Sequence, residues 1–332
     1  MNKLLLLATV AAGVLSMADA ASAECGDVTI ASMNWQSAEV LASLDKIILN
    51  EGYGCKAEII VGDTVPTITS MVEKGEPDLA PEGWIDLLPE VVGKGIEEGK
   101  IVGAAMALSD GAIQGWWVPK YIVDAHPDIK TIDDVLKHPE LFPDPEDSSK
   151  GAIHNGPQGW GGTLATTQLY KAYEAEKAGF TLVDTGSAAG LDRSIAKAYE
   201  RKEGWTGYYW APTALLGKYQ MVKLAHGVPY DAAEWKRCNT VADCVDPKKN
   251  DWPKDRVQTL LTKQFADRAG KDVLDYLNKR SWSNDTVNKL MSWMTDNQAT
   301  GEEGAKQFLK ENADLWKAWV SPGAAEKISA SL

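Results

Sequence analysis

Short apolar segments with strand-like alternation take turns along this chain with longer stretches of helical spacing. Residues 28–33 read as a first strand, and 37–50 carry the i, i+3, i+4 repeat of an amphipathic helix. After the turn Glu51-Gly52-Tyr53-Gly54 come a strand at 57–61, a helix at 65–74 and a short buried strand at 77–80. This β-α-β-α-β order is the signature of an α/β layered fold. The middle repeats the logic, with strands at 115–118, 181–184 and 205–210 and helices at 132–136, 163–178 and 191–202. The tail, 256–332, reads as mostly helical. Pro, Asp and Ser crowd 142–150, a surface loop, and 227–253 show little periodicity, as a long excursion would. No repeat of 20–50 residues is visible.

Composition narrows the function. With 44% apolar and 24% charged residues the chain is an ordinary globular one, which excludes long disorder. Acidic side chains outnumber basic ones 47 to 34, the net charge is −13, and no long basic run occurs, so a nucleic-acid backbone is repelled. Tryptophan is in excess, 13 against 4 Phe. Residues 1–23 read as a secretory signal peptide: Lys3, the apolar run 4–15, then Ala21-Ser22-Ala23 before Glu24. The apolar run is shorter than the roughly 20 residues a spanning helix needs, and Glu24 ahead of Cys25 does not suit a lipid-attachment site. Removal of the leader leaves about 309 residues, enough for two domains or one large one, and predicts a periplasmic protein. Its four cysteines then predict two disulfides. Of three pairings, the five-residue loop Asn239–Asp243 favours Cys238 with Cys244, leaving Cys25 with Cys55. Zinc would need closer ligand pairs.

Enzyme motifs are missing: no G-x-S-x-G, P-loop or H-E-x-x-H occurs, and Gly159-Trp160-Gly161-Gly162 has the wrong spacing for a dinucleotide fingerprint. Of His126, His138, His154 and His226, two precede Pro in surface-like segments. Asp144, Glu146 and Asp147 lack the spacing of an EF-hand and read as a solvated acidic loop. No cofactor or metal is implied. The tryptophans carry more. Trp293, Trp316 and Trp319 sit at helical spacing and read as core. Trp35, Trp84, Trp160 and Trp210 instead fall at strand ends or turns, where open α/β sheets bind ligands. Four indoles there suit a quaternary ammonium, which cannot donate a hydrogen bond and is held by π-faces. The helix opening after Gly159-Trp160-Gly161-Gly162 offers free backbone N–H groups to an anion. Cage and anion site together describe a zwitterion with a methylated onium head and a carboxylate.

At these residues the chain resembles the periplasmic substrate-binding proteins of ABC importers for glycine betaine, proline betaine and related compatible solutes. The resemblance covers essentially the whole mature chain and is most specific at Trp84, at Gly159-Trp160-Gly161 and at Tyr208-Tyr209-Trp210-Ala211-Pro212. It implies a tryptophan box of Trp84, Trp160 and Trp210, with Trp160, Gly161 and Gly162 offering N–H groups to the carboxylate. Asn34-Trp35 and Gly115-Trp116-Trp117 look closer to a branch with trimethylamine N-oxide binders, adding Trp35 and Trp117 to the cage. Two positions depart from the family. Leu88 stands where some betaine binders place a His, and Gln114 where the N-oxide branch places a glutamate.

The resemblance further implies a two-lobed α/β periplasmic binding protein fold, with lobe one at 24–112 plus 213–332, lobe two at 113–212, and a ligand cleft between them. The expected function is capture of a quaternary ammonium or sulfonium zwitterion, glycine betaine first, by a monomer that delivers it to an ABC permease and ATPase at the inner membrane. No bond is made or broken. Alternatives are a trimethylamine N-oxide or choline binder of the same class, and a periplasmic enzyme acting on a methylated amine. A carbohydrate binder is a poorer match, because the segments around Trp84, Trp160 and Trp210 hold mainly Gly, Pro, Ala and Leu.

Overall fold

The structure, a computed structural model, describes residues 25–332. The expected leader, 1–23, lies outside them. Ten strands run in chain order: β1 Asp27–Met33, β2 Lys56–Gly62, β3 Leu79–Trp84, β4 Ile101–Met106, β5 Ile113–Pro119, β6 Gly151–Asn155, β7 Phe180–Asp184, β8 Gly207–Ala211, β9 Met221–Lys223 and β10 Val257–Thr262. They form two five-stranded sheets, ordered β2-β1-β3-β10-β4 and β7-β6-β8-β5-β9, each the centre of one lobe of an α/β fold. In the first, β1 lies parallel to β2 and β3, and β10 runs antiparallel to both β3 and β4. In the second, β6 is parallel to β7 and β8, while β5 is antiparallel to β8 and β9.

The opening β-α-β-α-β unit forms as the periodicity predicts. Helix Gln36–Ile47 follows β1, and helix Thr64–Lys74 follows β2 and ends at Gly75 with φ +76°. The third strand is longer and later than the expected 77–80. It is buried at every position from Leu79 to Trp84 and runs straight through Pro81-Glu82-Gly83. Gly83 is required there, since a Cβ would lie 2.8 Å from the Gln258 carbonyl oxygen of β10. The expected helical tail begins with a strand instead: β10 is inserted between β3 and β4 in the first sheet. The helix expected at 163–178 occupies Gly161–Ala172, and the strand expected at 205–210 is Gly207–Ala211.

The chain passes from one sheet to the other between β4 and β5, and returns between β9 and β10. The two crossings lie side by side, with Ala112 N–H donating to the Asp255 carbonyl at 2.9 Å and Asp255 N–H returning the bond at 3.2 Å. The second sheet continues to β9, beyond residue 212, where the sequence places the end of lobe two. The cysteines pair as Cys25–Cys55, tying the starts of β1 and β2 together, and Cys238–Cys244 within the excursion. The C-terminal helices cover the first lobe. There Trp316 and Trp319 are buried and Trp293 half-buried, as their helical spacing predicts. In the acidic loop, Asp144 is spent locally, accepting from the backbone N–H groups of Glu146 and Asp147 and from the Thr181 hydroxyl. Among the described residues no helix is long and apolar enough to cross a membrane.

A candidate ligand cage between the lobes

Four indoles converge where the two sheets face each other. Trp35 follows the end of β1, Trp84 ends β3, Trp160 stands immediately before helix Gly161–Ala172, and Trp210 lies in β8. All four are buried and line one small chamber, to which Gln114 of β5 and Tyr208 of β8 contribute the polar atoms of the second lobe. The rings of Trp35 and Trp160 meet edge to face at 5.5 Å and 83°, and those of Trp160 and Trp210 at 5.2 Å and 88°. Tyr208 stacks behind Trp210 at 6.1 Å and against Trp252 at 5.7 Å. Among the described residues no Lys or Arg lines the chamber. Its free volume is about 20 Å³, room for one water, so a larger occupant requires the rings to part. A wider cavity of about 500 Å³ adjoins it past Trp35 and Trp210.

The lobes are clasped directly. The Trp160 indole N–H donates to Asn34 Oδ1 at 2.5 Å, Asn34 Nδ2 donates to Asp63 Oδ1 at 2.5 Å, and Val65 N–H donates to the Gly159 carbonyl at 3.0 Å. At the start of helix Gly161–Ala172, Trp160 is the N-cap without a side-chain cap bond, so the first-turn amides keep their donors. Glycine is obligatory at both next positions. A Cβ on Gly161 would lie 2.7 Å from Leu87 Cβ, and one on Gly162 only 2.2 Å from the Tyr208 hydroxyl.

Gln114 is almost fully buried. Its Oε1 accepts from the Tyr208 hydroxyl and its Nε2 has no partner among the described residues. Beside it lies Asp255, at the crossing between the lobes. Burial pushes the Asp255 carboxyl up to about 8, with the Asp86 charge adding to that shift and Gln114 and Lys223 opposing it. At neutral pH this carboxyl is mostly protonated.

The structure brings together Trp35, Trp84, Trp160, Trp210, Gly161, Gly162 and Gln114, but not Trp117. Strand alternation puts Trp117 on the opposite face of β5 from Gln114, where its indole N–H donates to the Tyr209 carbonyl at 3.0 Å. Leu88, the departure from the betaine pattern, is buried outside the chamber, and its neighbour Leu87 lines it. Sequence reasoning missed Glu82. This residue is 2% exposed, and its Oε1 accepts from the indole N–H of Trp35 at 2.7 Å, from that of Trp84 at 3.1 Å and from the Ser37 hydroxyl at 3.0 Å. Burial pushes its carboxyl up, while these three donors and the Arg280 charge pull it down. A usable signal existed. On a strand, Glu82 and Trp84 share a face, and an acid two residues before a cage tryptophan points toward the same place.

Comparison with known proteins places the chain in a family and a fold. The family described as the substrate binding domain of ABC-type glycine betaine transport systems matches residues 26–311. A trimethylamine N-oxide-binding protein of Pelagibacter ubique (strain HTCC1062) is 23% identical over 313 residues, covering 92% of this chain and 93% of that one. Among solved structures, an ABC-transporter choline binding protein in complex with choline superposes with a TM-score of 0.72 at 18% identity, over 92% of this chain and 98% of its own. The glycine betaine/L-proline-binding protein from Borrelia burgdorferi does so with 0.71 at 20% identity, over 91% and 99%.

Proposed function

The chain belongs to the family of substrate-binding domains of ABC-type glycine betaine transport systems, and from that premise we propose that it captures a methylated onium zwitterion, glycine betaine first, between its two lobes. The observation that carries this reading is the convergence of four buried indoles from both lobes on a chamber without a cationic side chain. The onium head takes the faces of Trp35, Trp84, Trp160 and Trp210. Each desolvated cation–π contact contributes about 2 kcal/mol, against roughly 0.5–1 in water. The carboxylate takes the open amides of Gly161 and Gly162 at the positive end of their helix and the unpartnered Nε2 of Gln114. Because the closed chamber is only about 20 Å³, smaller than an onium head, the lobes open to admit the ligand and close over it, expelling water.

The family's role as the binding component of a transporter supports release to an ABC permease and its ATPase at the inner membrane. The two disulfides support a periplasmic location, and we propose that the protein works there as a monomer. Lobe one comprises the first sheet with the C-terminal helices, and lobe two comprises residues 113–212 extended through β9. Trimethylamine N-oxide is the second reading. It is favoured by the named Pelagibacter relative, since the Gln114 amide can donate to an N-oxide oxygen as well as to a carboxylate.

Calorimetry on residues 24–332 tests the assignment. Glycine betaine or dimethylsulfoniopropionate binds more tightly than trimethylamine N-oxide, and choline, which has no anion, more weakly than either zwitterion. Tenfold tighter binding of choline or the N-oxide than of both zwitterions refutes it. Mass spectrometry of the saturated protein returns the ligand unchanged, whereas a new product identifies an enzyme.

A further inference from the structure

The proposed function gives Glu82 no task, yet Glu82 differs from the other acceptors of buried indole N–H groups among the described residues, the Ser194 hydroxyl that takes the Trp205 N–H included. The indole N–H of Trp117 donates to the Tyr209 carbonyl, that of Trp235 to the Asp86 carbonyl and that of Trp316 to the Leu309 carbonyl, while Trp160 uses the Asn34 amide. These are neutral acceptors, and they suffice to satisfy a buried N–H. Trp35 and Trp84 alone share a carboxylate oxygen, at 2.7 and 3.1 Å, with the Ser37 hydroxyl as third donor. The other oxygen, Oε2, is buried without a partner among the described residues.

Burying a carboxylate in this way is costly unless a counter-charge faces it. Arg280, the buried cation nearby, is already engaged. Its Nε lies 2.7 Å from Asp45 Oδ1 and its Nη2 donates to the Thr259 hydroxyl. Arg280 is taken up by Asp45, so Glu82 has no counter-charge of its own; burial holds its carboxyl above the usual range, and a cation entering the first-lobe half of the cage favours its ionised form. A charge-assisted N–H bond is stronger than one to a neutral acceptor and pushes electron density into the donor. In an indole, that makes the ring face more negative toward a cation.

We propose that Glu82 is a specificity-determining counter-charge, acting through the indole N–H groups of Trp35 and Trp84 so that the cage selects a permanently charged onium over an uncharged group of the same shape. This rests on the reading that Trp35 and Trp84 face the ligand head. It goes further in assigning the discrimination between charged and neutral heads to a residue that lies behind the rings.

The test compares glycine betaine with its carbon isostere 3,3-dimethylbutanoate, which keeps the carboxylate and the shape but replaces N⁺ by carbon. Across one ring, at about 7 Å and an effective dielectric near 20, a unit charge is worth at most about fiftyfold in affinity. In Glu82→Gln, which keeps an acceptor oxygen at the same place, the ratio of betaine to isostere affinity therefore falls roughly ten- to fiftyfold, because the effect on the carboxylate that both ligands carry cancels in the ratio. An unchanged ratio, or an equal loss for both ligands, means a structural acceptor only and overturns the proposal. If Glu82→Gln does not fold, Glu82→Asp carries the test: with the charge one methylene further from the indoles, the ratio falls to an intermediate value, and an unchanged ratio overturns the proposal. Wild-type protein that binds neither ligand refutes the onium-binding function itself and the counter-charge with it. Betaine binding with an unmoved ratio refutes only the counter-charge.

Discussion

Gln114→Glu separates the two ligand classes the cage could take. Gln114 is 1% exposed, its Oε1 is held by the Tyr208 hydroxyl, and its Nε2, on the side of the Asp255 carboxyl, makes no hydrogen bond among the described residues. The substitution removes that donor and places a second carboxyl beside Asp255. Because burial already holds Asp255 mostly protonated, at about 8, the proton of the pair resides there and the new group ionises more readily than in isolation. A ligand carboxylate about 4 Å away then meets a like charge. At an effective dielectric near 20 the repulsion is about 4 kcal/mol, and partial protonation reduces the expected loss to about 2–3 kcal/mol, some 30- to 150-fold. Trimethylamine N-oxide carries its formal negative charge on an oxygen more basic than a betaine carboxylate, so the new carboxyl can meet it as a protonated donor, and it loses less than threefold. The assay is competition calorimetry at pH 7 with glycine betaine and the N-oxide on wild type and variant, with thermal melts to confirm folding. Equal losses for both ligands, or no loss for betaine, refute the placement of the carboxylate at Gln114.

Two further predictions follow from the same geometry. Trp84→Ala, Trp160→Ala and Trp210→Ala each weaken glycine betaine binding by about 1–3 kcal/mol with smaller changes in the apo melt; full affinity in the Trp160 and Trp210 variants refutes the cage. Asp255, whose folded pKa of about 8 stands well above the roughly 3.9 of an unfolded aspartate, keeps its proton in the fold while the unfolded chain loses it. Stability therefore falls as pH rises between about 4 and 8, by up to about 1.4 kcal/mol per pH unit. Asp255→Asn removes that slope, so its melting temperature gains on wild type from pH 5 to pH 8, and parallel pH profiles contradict the assignment.

How much of this was legible in the sequence differs by element. The opening β-α-β-α-β unit was, because short apolar segments alternate there with stretches of helical spacing, separated by turn residues such as Gly52, Gly54 and Gly75. The interior strand β10 was not: Val257–Thr262 is buried at nearly every position, and a strand buried on both faces loses the alternation that marks it. β6, Gly151–Asn155, hid in the same way, every residue being buried and two of the five polar. The cage indoles stood out because they sit at strand ends rather than on helical faces. Trp117 was misplaced because adjacency to Trp116 says nothing about which face of β5 a side chain takes. Glu82 was only half legible: its i, i+2 relation to Trp84 lies in the sequence, but its meeting with Trp35, 47 positions away, depends on the fold.

The most direct test is a structure of the protein crystallised with glycine betaine. The account predicts the quaternary nitrogen within about 6 Å of the ring centroids of Trp35, Trp84, Trp160 and Trp210, with the carboxylate on the amides of Gly161 and Gly162 and on Gln114. A ligand seated in the adjoining cavity of about 500 Å³, with the four rings still closed on one another, contradicts it.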